Sequence, residues 1–275
     1  MEKILLVVNS HKPDMGTIEF GCRIAALAET KLTGVFIDNP YTAFLPSAPA
    51  GDSYFKAVRE ASGEVVTTDT DQAIRLFVDE CRRKGIPSEI YTDKGDPIQE
   101  VIFESRFADM LIIDPDISFY DREEQLPSHF VKQILANAEC PVLLGPEKFE
   151  EIEEIIFCYD GSASAVFAIK QFTYLLPEFS NMKVMLLEVN NSGSDEFNES
   201  DRRMMEWLRT HYHSAYYHAL KGEAKNELFN FLFLKRKKIL VLGAYGRSML
   251  SNFFKKSAAE VLIRTVDLPL FIAHH

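Results

Sequence analysis

The chain has 275 residues, with 30 basic and 41 acidic side chains and a formal net charge of −11. That balance argues against general binding to nucleic acid or to an anionic membrane, both of which need a basic face. Hydrophobic residues make up 47% of the chain, a globular proportion, and the length suits two domains of ordinary size.

Cys22, Cys81, Cys140 and Cys158 are widely spaced, with no C-x-x-C, so free thiols in a reducing compartment are expected, not disulfides or a structural metal. Met1-Glu2-Lys3 runs straight into an apolar strand, and no apolar run approaches the ~20 residues of a membrane span. The expectation is a cytoplasmic protein. His274-His275 fits a native end and a tag remnant alike.

Lys3–Asn9 is a continuous apolar run, as in a strand covered on both faces. Thr17–Thr30 has helical spacing through Ile18, Cys22, Ala25, Ala26 and Leu27. Leu32–Asp38 is a second strand, and Asn39–Ser53, rich in Pro, Ala and Ser, reads as a loop. Phe55–Lys84 is a long helical stretch with Ala73, Leu76, Phe77, Glu80 and Cys81 on the expected buried face. Pro87–Asp93 is a strand, and Gly95-Asp96-Pro97 opens a helix carrying Ile98, Val101, Ile102 and Phe103. Asp109–Asp114 is a strand, Phe130–Ala138 a helix, and Cys140–Gly145 the last strand. Strands and helices alternate, which predicts parallel, doubly wound α/β architecture.

The pattern then restarts. Asn9 is answered by Asp160, Gly95 by Gly222 and Pro141 by Pro269, so the separation shrinks from 151 residues to 127 and 128. The first copy therefore has the longer connection between its second and third strands. A period near half the chain means two copies of one domain. The expectation is two tandem Rossmann-like domains, 1–148 and 152–275, each with a five-stranded, mainly parallel sheet. The short acidic stretch Phe149–Glu154 forms the boundary.

Lys237–Ala258 carries the most specific pattern. The apolar run Ile239-Leu240-Val241-Leu242 ends at Gly243-Ala244-Tyr245-Gly246-Arg247-Ser248, and the chain reopens into a helix at Ser257-Ala258. Glycines let backbone N–H groups come close to a ligand, and free N–H groups at a helix start suit an anion.

The tandem layout resembles a two-domain universal stress protein. That family's nucleotide signature is Gly, two residues, Gly, nine residues, Gly, then Ser or Thr. Here Gly243-x-x-Gly246 is followed by nine residues and Lys256-Ser257, so three of four positions match. Cys158-Tyr159-Asp160-Gly161-Ser162 looks like the family's Asp-Gly-Ser, whose Asp contacts nucleotide near ribose and base, and Val189 matches the valine ending the second strand. The resemblance implies a second-domain site for ATP or AMP, with Mg²⁺ if ATP, drawn from Cys158, Asp160, Gly161, Ser162, Val189, Gly222, Leu242, Gly243, Gly246, Arg247, Lys256, Ser257 and Ala258. It also implies pairing through the last strands, which the two halves of one chain can satisfy as an intrachain pseudo-dimer of Pro141–Leu144 with Pro269–Ile272, with a homodimer as further pairing between chains.

Each match has a plainer reading. Asp160 and Ser162 suit a helix cap. Gly243 and Gly246 suit a strand-to-helix turn, and Arg247 a solvated surface. Lys256 either crowds the phosphate or supplies its countercharge, and charge arithmetic of a few kcal/mol leaves both readings open.

The first copy departs from the signature. Its first strand ends Asn9-Ser10, and its fourth runs into Asp114-Pro115-Asp116, where two carboxylates would repel phosphate and Pro115 has no N–H. His211, His213 and His218 are too loosely spaced for a metal cage. No nucleophile–base pair stands out, so the sequence reads as a binding or sensing module with at most weak nucleotide hydrolysis. The competing reading is a protein-interaction member that has lost nucleotide.

Overall fold

The computed structural model describes residues 1–37, 69–93, 95–119, 124–190, 198–243 and 258–273. The first half supplies β1 (Lys3–Asn9), α1 (Met15–Leu27), β2 (Lys31–Ile37), α2 (Asp69–Lys84), β3 (Ser88–Asp93), α3 (Pro97–Ser105), β4 (Met110–Ile113), α4 (His129–Asn137) and β5 (Val142–Leu144). The second supplies β6 (Glu154–Tyr159), α5 (Ala163–Leu175), β7 (Lys183–Asn190), α6 (Glu199–His211), β8 (Ser214–Lys221), α7 (Ala224–Leu232), β9 (Lys238–Gly243), α8 (Ala258–Thr265) and β10 (Leu270–Ala273).

The strands form one ten-stranded sheet in the order β3-β2-β1-β4-β5-β10-β9-β6-β7-β8. Every described pairing is parallel except the central one, where β5 and β10 run antiparallel with Leu143 opposite Phe271. The two expected five-stranded sheets are therefore continuous, joined by the strands that sequence reading pairs. Joining them leaves neither last strand as an exposed edge.

Alternation along β1 builds two cores. Ile4, Leu6 and Val8 enter one core with residues of α1, α2, α5 and α6. Leu5 and Val7 enter the other with residues of α3, α4, α7 and α8. A strand flanked by helices on both faces must be apolar on both, which is why β1 reads as an unbroken hydrophobic run.

Some expectations need adjustment. Strand β8, which the sequence pattern did not reveal, occupies Ser214–Lys221, and its side chains are at most half-buried. Leu76 is 42% exposed, while Ala73, Phe77, Glu80 and Cys81 are buried, so the inward face of α2 is narrower than expected; on α1, Ala26 and Leu27 face outward while Ile18, Cys22 and Ala25 are buried. The start of the predicted Phe55–Lys84 helix and the Asn39–Ser53 loop lie outside the described residues.

At the amino ends of the second-half strands, Glu154 of β6 is buried and binds neighbours on both sides. Tyr216 of β8 donates to its Oε1 at 2.6 Å, Lys238 of β9 bonds Oε2, and Lys183 of β7 lies 3.6 Å away. Burial pushes this carboxyl up, but the hydrogen bonds of Lys238 and Tyr216 and the charges of Lys238 and Lys183 outweigh it, and the group sits below the ordinary carboxylate range.

Candidate functional site

In each half the chain leaves a central strand in one direction and later returns on its other side. In the second half this reversal falls between β6 and β9, which are parallel neighbours. Open α/β sheets bind ligands at the carboxyl ends of strands where the order reverses. Cys158 and Leu242 are register partners there. Asp160, Gly161 and Ser162 follow β6, and Gly243 ends β9. Val189 lies at the end of β7, one strand further on, and Gly222 just after β8, two strands from β6. Gly246, Arg247, Lys256 and Ser257 lie outside the described residues, and the chain re-enters at Ala258, the first residue of α8.

Local bonds shape the turn after β6. The Ser162 amide donates to Oδ1 of Asp160 at 3.0 Å. Gly161 takes a φ of +75°, a conformation that costs an L side chain energy. Ser162 Oγ accepts from the Ala165 amide at 3.1 Å and caps α5. The helix-cap reading of these residues therefore holds in the structure. Among the described residues, a Cβ on Gly161 would meet nothing within 4 Å.

Gly243 has a different need. A Cβ there would fall 2.5 Å from the Ala165 nitrogen and the Ser164 carbonyl carbon, both backbone atoms of the first turn of α5. Close packing of β9 on that helix demands glycine whether or not a phosphate is present. At Gly222 the φ is +141° and a Cβ would strike the Glu227 side chain at 2.9 Å. The Cys158 thiol is pushed up to about 12, first by burial and then by the charge of Asp160, so it stays protonated at neutral pH.

The equivalent ends in the first half border a cleft of about 1030 Å³. Asn9 takes the place of Asp160. Its Nδ2 donates to the Ser118 carbonyl at 2.9 Å and its Oδ1 accepts from the His11 amide at 3.0 Å. Asp114 Oδ1 accepts from the Asp116 amide at 2.8 Å, across Pro115. Burial raises the Asp114 pKa, and the charges of Asp14 and Asp116 raise it further. Acidic side chains thus line a roomy space at the position where the second half has its glycine loop.

The far wall of this cleft comes from the second half, through Ile263–Leu270. Arg264 of α8 reaches Gln125 Oε1 at 2.9 Å and bonds the Leu126 carbonyl. Asp267 Oδ1 accepts from the Glu147 amide at 2.8 Å. These contacts span 120 to 139 residues of sequence and left no local signal. Near the histidines, His211 stacks on Trp207 with ring centroids 4.0 Å apart, and His218 lies on β8 against Phe231. Among the described residues, no group of three or more His, Cys, Asp or Glu side chains is placed to hold a metal, and no helix is long and apolar enough to cross a membrane.

Sheet order and crossover pattern define a doubly wound α/β protein with a strand-order reversal in each half. No family model matches the sequence, and no curated protein matches it. Solved structures do. A universal stress protein from Archaeoglobus fulgidus DSM 4304 superposes with a TM-score of 0.68 at 17% identity, covering 98% of each chain. A protein from Pseudomonas aeruginosa UCBPP-PA14, proposed to be a universal stress protein, gives 0.60 at 13% identity, covering 99% of this chain and 92% of that one. A functionally unknown protein from Pseudomonas aeruginosa PAO1 gives 0.57 at 14% identity, with the same coverage. The chain has the fold of universal stress proteins over nearly its whole length.

Proposed function

We propose that this is a cytoplasmic stress-response protein of the universal stress protein type, built from two units, 1–148 and 152–275. The second unit binds ATP or AMP, with Mg²⁺ accompanying ATP. It acts as a binding or sensing module and not as a dedicated enzyme. The first unit carries a degenerate motif, and the two act as an intrachain pseudo-dimer that can pair further as a homodimer.

The observation that carries this reading is the parallel register of Cys158 with Leu242. It places Asp160 and Gly243 at one end of adjacent strands and launches the glycine motif from the point where the strand order reverses. Among the described residues nothing lies within 4 Å of a Cβ placed on Gly161, which supports a ligand against the Asp160 turn. In this arrangement Asp160 meets the ribose and base, while the backbone around Gly246, with Ser257, meets phosphate. Mg²⁺ would screen the charge of the triphosphate. The first unit lacks this combination, because Asn9 is tied to Ser118 and Asp114 and Asp116 bring negative charge.

Calorimetric titration with ATP and AMP tests the proposal. Saturable binding by wild type, weakened in Asp160→Ala and abolished in Gly246→Val, is expected. Absence of heat and of any thermal shift in wild type would refute it.

A further inference from the structure

Cys22 of α1 and Cys81 of α2 meet inside the first half with their sulfur atoms 3.6 Å apart. Both are free thiols and both are 0% exposed. They share a core with Ala25, Ala73 and Phe77, so two helices 59 residues apart in sequence present their thiols to each other in a packed interior. That separation is sulfur–sulfur contact. A disulfide needs about 2.05 Å, so forming the bond closes the separation by about 1.5 Å.

We propose that Cys22 and Cys81 form an oxidisable pair that closes to a disulfide when the protein meets a hydroperoxide, cross-linking α1 to α2. The pair is asymmetric. The hydrogen bond from Cys22 favours the Cys81 thiolate and lowers its pKa against the opposing effect of burial, and the Ser88 side chain adds to that bias. The same sulfur–sulfur bond, with burial, raises the Cys22 pKa. This bias favours Cys81 as the attacking sulfur.

The chemistry balances. The Cys81 thiolate attacks one peroxide oxygen, the O–O bond breaks, and hydroxide leaves to take up the proton that Cys81 released. Cys81 is then a sulfenic acid. Cys22 gives up its proton, its sulfur attacks the Cys81 sulfur, and the S–O bond breaks with loss of water. Two thiols and one hydrogen peroxide give one disulfide and two waters. Because both sulfurs are buried, the reaction proceeds through transient opening of α2 against α1. A low concentration of urea should therefore speed it.

Peptide mapping tests the proposal on the intact chain. The protein is exposed to hydrogen peroxide, quenched with catalase, alkylated with N-ethylmaleimide in denaturant, digested and analysed by mass spectrometry. The expected result is a peptide linking Cys22 to Cys81, with Cys140 and Cys158 alkylated. The thermal midpoint of the oxidised protein rises, and dithiothreitol reverses both changes. Cys81→Ser gives no link and leaves Cys22 alkylated. Recovery of Cys22 and Cys81 both alkylated after peroxide, or of either one singly oxidised to sulfinic acid, overturns the proposal.

Discussion

Leu242 of β9 stands beside Cys158 of β6 in parallel register, so Gly243 and the Asp160 turn emerge together from one end of the sheet. The same register drives β9 against the first turn of α5, which Ser162 caps. Glycine at position 243 therefore serves packing first, and any ligand uses a backbone that packing has already placed.

Gly243→Ala should destabilise the protein by roughly 1–3 kcal/mol, the usual range for forcing a methyl into filled space, because the atoms it meets are backbone and cannot rotate away. Gly161→Ala meets no neighbour among the described residues and suffers the φ of +75°, at a cost of about 1 kcal/mol. Urea denaturation of the two variants checks the order. Equal losses would contradict the packing assignment of Gly243.

Stability should fall on acidification through Glu154. Its folded pKa lies below the unfolded value of about 4.3, so the carboxylate's contribution is fully present above that pH and is lost as pH drops through the folded pKa. Glu154→Gln should flatten the stability profile below about pH 4.3 and lower stability at pH 7 by roughly 3 kcal/mol, since it leaves the partly buried Lys238 without its countercharge. Denaturant midpoints measured from pH 3 to pH 7 for both proteins provide the comparison. An unchanged acid limb in the variant would exclude Glu154 as its source.

Phe271 of β10 is fully buried at the junction of the halves, edge-on to Phe172 of α5 with ring centroids 5.2 Å apart. Phe271→Ala should cost roughly 3–5 kcal/mol. Because β5 and β10 make the sheet continuous, the loss should move one common unfolding transition. Far-ultraviolet dichroism and tyrosine fluorescence recorded on the same melt test this, and separate transitions would show that the halves unfold independently.

Lys256→Gly restores the last glycine of the signature. If the lysine stem crowds the phosphates, ATP should bind roughly tenfold more tightly, equivalent to about 1.4 kcal/mol. Weaker binding in the variant would instead assign Lys256 the role of countercharge. Calorimetry at fixed ionic strength gives the sign.

Much of the fold was legible because buried parallel strands need apolar residues on both faces, as in Ile4–Val8 and Ile239–Leu242. The matching element order of the two halves was legible from the recurring Gly95-Asp96 and Gly222-Glu223 steps, although Asp96 caps its helix and Glu223 makes no such bond. Strand β8 was not, since an edge strand with half-buried sides accepts the mixed run Ala215-Tyr216-Tyr217-His218. Ser162 was readable as a cap because capping is a local bond between residues three apart.

The sequence by itself determined the alternation of strands and helices, the duplication and the position of the glycine motif, all set by nearest neighbours and periodicity. Tertiary structure decided what lies between distant residues. It joined β5 to β10, set a Cβ-free position at 243 against Ser164 and Ala165, walled a first-half cleft with Arg264 and Asp267, and brought Cys22 to within 3.6 Å of Cys81. Such contacts depend on how whole helices pack on the sheet, and packing distance leaves no mark on the local order of residues.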